Sequence, residues 1–217
     1  MLNIPDNYYD AEIRNGFYIE SKMKRAWAAQ IEVLEEIRRI CQNHNIPFFA
    51  DWGTLLGAVR HHGFIPWDDD LDIGMLRDDY NKFLQIAPAE LSSFFKLKSL
   101  YNDPEHDNVK ARIITGCSMI DLACGWDYHI PVEAYRSWTM MPFEYTTIPV
   151  PDGYDYILKV KYGDNYMTPV RGGGSHDYPF YKKQEQALKS IIEKEFGISI
   201  SDEEFNQLLN QKMNITT

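Results

Sequence analysis

Apolar residues recur at helical spacing from about Glu20 to His44. Met23, Trp27, Ile31, Leu34, Ile37 and Cys41 form one stripe, with charge on the opposite side. The spacing predicts one long helix, ended by the polar run from Asn43 to Pro47. The aromatic and apolar run Ile46–Asp51 predicts a short buried strand, and GTLLGAVR, from Gly53, a short helix entered at a glycine turn. LDIGML, from Leu71, reads as a second strand, followed by a helix from about Asp78 to Ala87 that stops before Pro88. Further strands are expected at Phe94–Leu100, Val109–Thr115 and Ser118–Ala123. Tyr154, Ile157, Leu158 and Lys161 share one face of a helix spanning Gly153–Tyr162. RGGGSHDYP (Arg171–Pro179) is a loop, and two helices, about Tyr181–Phe196 and Asp202–Met213, close the chain.

Helices and strands mix without strict alternation, which predicts an α+β (mixed α/β) domain rather than a doubly wound one. No repeat or long linker divides the sequence. It reads as one domain over residues 1–217, with a core at about 20–180 and a helical segment at about 181–213. The 217 residues suffice to bury a full core. A net charge of −10 argues against nucleic acid as a partner, because sequence-independent binding needs basic surface. The N-terminus lacks the basic-then-apolar order of a signal peptide, and no apolar run has the length of a transmembrane segment. Cys41, Cys117 and Cys124 suit a reducing compartment and lack zinc-site spacing. The expected address is the cytoplasm, with the inner membrane surface left open.

Composition changes the picture most between Ala50 and Leu76, ADWGTLLGAVRHHGFIPWDDDLDIGML, where four of the five residues from Asp68 to Asp72 are aspartates. If this segment is extended, Asp68, Asp70 and Asp72 share a face while Leu71 and Ile73 enter the core. Like charges that close repel, and burial raises their pKa values unless a cation intervenes. Hard carboxylate oxygens suit Mg²⁺ or Mn²⁺, the ions that also bind phosphates. Asp121, alone among apolar neighbours in SMIDLA, has the character of a further ligand from an adjacent strand. The simpler alternative is an acidic surface turn that caps the following helix. Neither a Walker loop nor GxGxxG is present.

GTLLGAVRHHGFIPWDDDLDIGMLRDDY (Gly53–Tyr80) resembles the signature of the LicD family, whose relatives include the fukutin proteins. YGDNYMTPVRGGGSH (Tyr162–His176) is similar to that family's distal segment. The resemblance spans roughly Ile31 to His176. It implies a nucleotidyltransferase-like core with a mixed β-sheet, and a metal-dependent transferase. Such an enzyme moves phosphocholine or another alcohol phosphate from a CDP-linked donor, CDP-choline first, to a glycan or lipid-linked sugar acceptor. On that pattern Gly53 and Thr54 form the phosphate-holding turn. Asp70 and Asp72 are the metal pair, Asp68 a further ligand, and Asp121 the third strand acid and candidate general base. MIDLACGWDYHIP departs from the family's usual apolar run around Asp121.

The secondary candidates each keep two readings. Arg60 holds a donor phosphate or caps its helix. Trp67 stacks on a ligand or packs. Lys110 and Arg112 face the cleft or solvent, and Arg171 and His176 close over the donor or belong to a linker. His61 and His62 read as surface or loop residues. Trp126, Tyr128, Trp138 and Tyr145 could build a choline cage, although nothing in the sequence gathers them. Two other functions stay open: a nucleotidyltransferase moving NMP from an NTP, and a non-catalytic binding domain.

Overall fold

The computed structural model describes residues 3–106, 110–115, 118–123 and 130–170, with Lys189, Ser190, Glu193, Lys194, Ser199, Ser201 and Glu204 beyond them. A hairpin of β1 (Glu12–Arg14) and β2 (Phe17–Ile19) precedes α1 (Ser21–His44). The predicted apolar stripe is the buried face of α1: Trp27, Ile31, Leu34 and Ile37 have no exposure, and Met23 and Cys41 are nearly as enclosed. The helix stops because Asn45 turns left-handed at φ 51°. Ile46 N–H then closes on Cys41 O at 2.9 Å and Asn45 N–H on Gln42 O at 3.5 Å. Those two bonds form a Schellman cap, with buried Ile46 as its apolar contact.

The central sheet has five strands in the order β3 (Phe49–Ala50), β4 (Leu71–Gly74), β7 (Ser118–Ala123), β6 (Ala111–Thr115) and β5 (Lys96–Lys98). Only β4 and β7 run parallel, so the sheet is mixed and the fold is α+β. α2 (Trp52–His61) connects β3 to the loop before β4, and α3 (Arg77–Glu90) follows β4. β4 is enclosed along its whole length, which is why it needs no polar alternation to be recognised. α1 packs across β6 and β7. A second hairpin, β8 (Trp138–Phe143) and β9 (Thr146–Pro151), lies on β3 and α2, and α4 (Tyr154–Tyr162) follows it.

Several boundaries differ from the sequence expectation. The strands expected over Ile46–Asp51 and Phe94–Leu100 shrink to Phe49–Ala50 and Lys96–Lys98, because both lie at sheet edges and pair on one side only. α3 passes through Pro88 instead of stopping before it. Proline forfeits its own N–H bond, but Leu91 N–H still closes on Ala87 O at 2.9 Å and completes the last turn. The two hairpins were not anticipated. The helices expected at Tyr181–Phe196 and Asp202–Met213 lie largely outside the described residues. No helix among the described residues is long and apolar enough to cross a membrane.

Candidate active site

The site grows from the junction of β3, α2 and β4. Asp51 N–H donates to Asp72 O at 3.1 Å, which extends the β3–β4 ladder by one residue. Asp72 N–H, at the end of that ladder, is taken by Thr54 Oγ1 at 2.7 Å. Thr54 is buried, so its hydroxyl fixes the strand rather than a ligand. The register then sets Asp72 level with Asp121 of β7, Asp121 level with Arg112 of β6, and Arg112 level with Lys98 of β5. Three acids and two bases thus form a transverse line across the sheet.

The acidic run enters this line as a loop. β4 begins at Leu71, so Asp68, Asp69 and Asp70 do not alternate along a strand as expected. A turn gathers them instead: Asp68 N–H bonds Ile65 O at 2.9 Å. α1 holds the turn from behind, with Trp27 Nε1 donating to Asp68 O at 3.0 Å and Gln30 Nε2 to Asp69 O at 2.5 Å. With the carbonyls so engaged, one carboxylate oxygen from each of Asp68, Asp69 and Asp70 lies within 4.8 Å of the others. Asp69 therefore joins a cluster for which the sequence nominated only Asp68 and Asp70.

Gly53 makes room for this cluster. A Cβ at that position would lie 2.3 Å from Asp68 Oδ2, so only glycine lets the carboxylate reach the start of α2. The crowding has an electrostatic consequence. Burial, then the charge of Asp70 and a hydrogen bond to it, then Asp69 and Asp72, push the Asp68 carboxyl well above its usual range. Burial first, then Asp68, Asp51, Asp72 and Asp70, raise the Tyr162 phenol as well. Closely spaced, all-oxygen donors of this kind fit a hard divalent ion.

Two basic side chains border the acids. Lys110 Nζ lies 3.4 Å from Asp72 Oδ1. Lys161 of α4 forms a buried ion pair with Asp51. Trp52 lies beside both, its ring centroid 4.3 Å from Lys161 Nζ and 5.5 Å from Lys110 Nζ. The Asp51 Oδ2 atom is buried without a hydrogen-bond partner among the described residues. Arg60, at the far end of α2, donates to Tyr166 O at 2.7 Å and His61 Nδ1 at 3.3 Å, both neutral. Burial lowers its pKa to about 10. A half-buried guanidinium on neutral partners is suited to an incoming anion.

Trp67 contacts Phe17 and His61 edge-on, at centroid distances of 6.0 and 6.1 Å, and packs against the core. His61 is partly enclosed rather than a surface residue. Arg171, His176, Trp126 and Tyr128 lie outside the described residues. Asp51, Trp52, Asp69, Lys161 and Tyr162 were absent from the sequence candidates. Lys161 did carry a signal, being a lysine on the apolar stripe that predicted α4.

Residues 45–113 match the family model described as LicD/FKTN/FKRP, nucleotidyltransferase domain. The match contains Gly53, Thr54, Asp68–Asp72, Lys110 and Arg112. Among curated proteins, the lipopolysaccharide cholinephosphotransferase LicD of Haemophilus influenzae is 36% identical over 69 residues, covering 32% of this chain and 26% of that protein. The ribitol 5-phosphate transferase FKRP of Homo sapiens is 25% identical over 141 residues, covering 54% of this chain and 28% of that one. An uncharacterised protein of Rickettsia prowazekii is 44% identical over 57 residues, 26% of this chain and 21% of its own length. The chain thus spans about a quarter of the length of these relatives.

Proposed function

We propose that this protein transfers an alcohol phosphate, phosphocholine or a polyol phosphate, from a CDP-linked donor to a hydroxyl of a glycan or glycolipid acceptor, releasing CMP. The observation that carries the reading is the Asp68–Asp70 cluster, packed on Gly53 beside Asp72. The activities of the two named transferases, choline phosphate and ribitol phosphate transfer, supply the chemistry.

Asp68, Asp70 and Asp72, with Asp121 from the parallel neighbour, would hold Mg²⁺ or Mn²⁺. When bound, the ion neutralises charge on the donor diphosphate. The chain's own residues do the rest. The Trp27 and Gln30 bonds fix the loop so that its carboxylates need no reorganisation on binding. Arg60 and Lys110 offer positive charge to the donor phosphates, and Arg112 stands level with Asp121 in the sheet. Asp121 accepts the acceptor hydroxyl's proton as its oxygen attacks the donor phosphorus. The bond to CMP breaks, and CMP leaves with the electron pair.

The test is product analysis with CDP-choline and CDP-ribitol, each with Mn²⁺ or EDTA. CMP release that needs the metal and disappears in Asp70→Asn supports the reading. The family description favours one alternative, transfer of NMP from an NTP, which would release pyrophosphate from CTP instead. Equal binding of every nucleotide with and without metal would leave a non-catalytic binding domain.

A further inference from the structure

We propose that Tyr162 is a substrate-binding residue whose phenol donates a hydrogen bond to the donor diphosphate, between the acidic loop and Arg60. The inference rests on the metal-dependent reading above and names a group that links the two ends of its site. α2 separates those ends. Asp51, which opens the helix, and Gly53 adjoin the acidic loop, whereas Arg60 belongs to the last turn. The helix is ten residues long and extends roughly 15 Å. A ligand that engages both ends must therefore pass along it.

The end of α4 is laid beside that path and tied to both ends of α2. Lys161 forms its buried pair with Asp51 at one end. At the other, Arg60 donates to Tyr166 O at 2.7 Å. Tyr162 lies between the two ties, directly after the first. The intervening chain is also fixed from within. Gly163 N–H closes on Lys159 O at 2.8 Å, and Tyr166 N–H on Gly163 O at 3.2 Å. Tyr166 Oη donates back to Asp155 Oδ1 at 2.9 Å. Gly163 makes the turn possible, since its φ of +85° is one that other residues resist. Tyr162 is thus held in a set place, not on a loose tail.

Its hydroxyl lies near charge of both signs and is bonded to neither. The charges of Asp68, Asp51, Asp72 and Asp70 all act on the phenol, and the phenol acts in turn on the Arg60 guanidinium. Tyr162 Oη has no hydrogen-bond partner among the described residues, and 42% of the residue is exposed. A tyrosine that only packed would turn its ring inward, as Tyr80 and Tyr135 do. With a metal on the carboxylates, the phosphoryl oxygens it draws in become acceptors within reach of this donor. A phenol is neutral at neutral pH, so it adds a directed bond to an anion without adding charge.

Tyr162→Phe removes the hydroxyl and keeps the ring. Because no internal hydrogen bond is lost, its thermal midpoint without ligand should match wild type. In titration calorimetry Mn²⁺ alone should bind both proteins equally. With Mn²⁺ saturating, CDP should bind Tyr162→Phe about tenfold more weakly, a hydrogen bond to a charged acceptor having been removed. Unchanged CDP affinity overturns the contact while leaving the metal site intact. A matching loss of Mn²⁺ affinity also overturns it, since the phenol would then be orienting the carboxylates. Failure of the wild type to bind Mn²⁺, or CDP in its presence, overturns the proposed function together with the contact.

Discussion

Two regions of this molecule bury charge, and they do so in opposite ways. At the N-terminal hairpin, Arg14 donates to both oxygens of Glu144, at 2.6 and 3.2 Å, and to Glu12 at 2.6 Å. Lys24 completes the series with Glu12 at 2.6 Å, its ammonium 4.0 Å from the Tyr8 ring centroid. Glu144 Oε1 also accepts from Phe64 N–H at 3.0 Å. Signs alternate there, and each charge has a protein counter-ion. In the acidic loop, by contrast, Asp68, Asp69 and Asp70 face one another, and burial with the charge of its neighbours raises the Asp68 pKa. Arg60 meanwhile rests on neutral groups. The first region closes its electrostatics within the chain and ties β1 to the β8–β9 turn. The second crowds like charges together, the arrangement that the metal-bound diphosphate of the proposed function would complement.

The contrast breaks most visibly at Glu144. Glu144→Ala should cost about 3 kcal/mol in urea unfolding, because it leaves Arg14 only the more exposed Glu12 and strands Phe64 N–H. Metal-dependent ligand binding by the folded fraction should be unchanged. Asp70→Asn should do the reverse. Its unfolding midpoint in EDTA should match wild type, while it loses the roughly 2.7 kcal/mol that a ligand at 100 Kd adds to wild type in Mn²⁺. An Asp70→Asn variant that unfolds as readily as Glu144→Ala would erase the distinction between the two regions.

Gly53→Ala sharpens the same comparison. Alanine suits a helix better than glycine by about 1 kcal/mol, yet its Cβ would meet Asp68 Oδ2 at 2.3 Å. Mn²⁺ affinity should therefore fall about tenfold with little change in thermal midpoint, as expected for a group that orients a ligand. The smallest effect is on pH dependence. Burial, then Arg60, Arg14 and His62, depress the His61 pKa from 6.5 to about 3. The unfolded chain thus binds a proton that the folded one refuses. The stability this supplies is complete above pH 6.5 and is lost as pH falls toward about 3. Urea melts across that window should show a shallower acid slope for His61→Gln.

Periodicity made the helices legible, because α1, α2 and α4 bury single stripes that repeat at 3.6 residues. Edge strands were overdrawn, since apolar composition extends past the residues that find a pairing partner on one side. The two hairpins escaped notice: β8 is largely exposed, and β1 and β2 have three residues each. In the site, the aspartates and Gly53 were legible as a local pattern. Their grouping was not, because a turn held by Trp27 and Gln30 sets it, some forty residues away. Asp51 and Lys161 were hidden for a similar reason. Their pairing joins α4 to the end of β3 across 110 positions of sequence.

The central claim is that the acidic loop is a metal site for a CDP-linked donor. Its most direct test is a thermal melt of wild type and Asp70→Asn with CDP-ribitol or CDP-choline, each in Mn²⁺ and in EDTA. A stabilisation of wild type by one CDP-alcohol that requires Mn²⁺, exceeds that given by CMP, and vanishes in Asp70→Asn is the predicted result. Identical melting of both proteins under all conditions would contradict it and leave the loop as architecture alone.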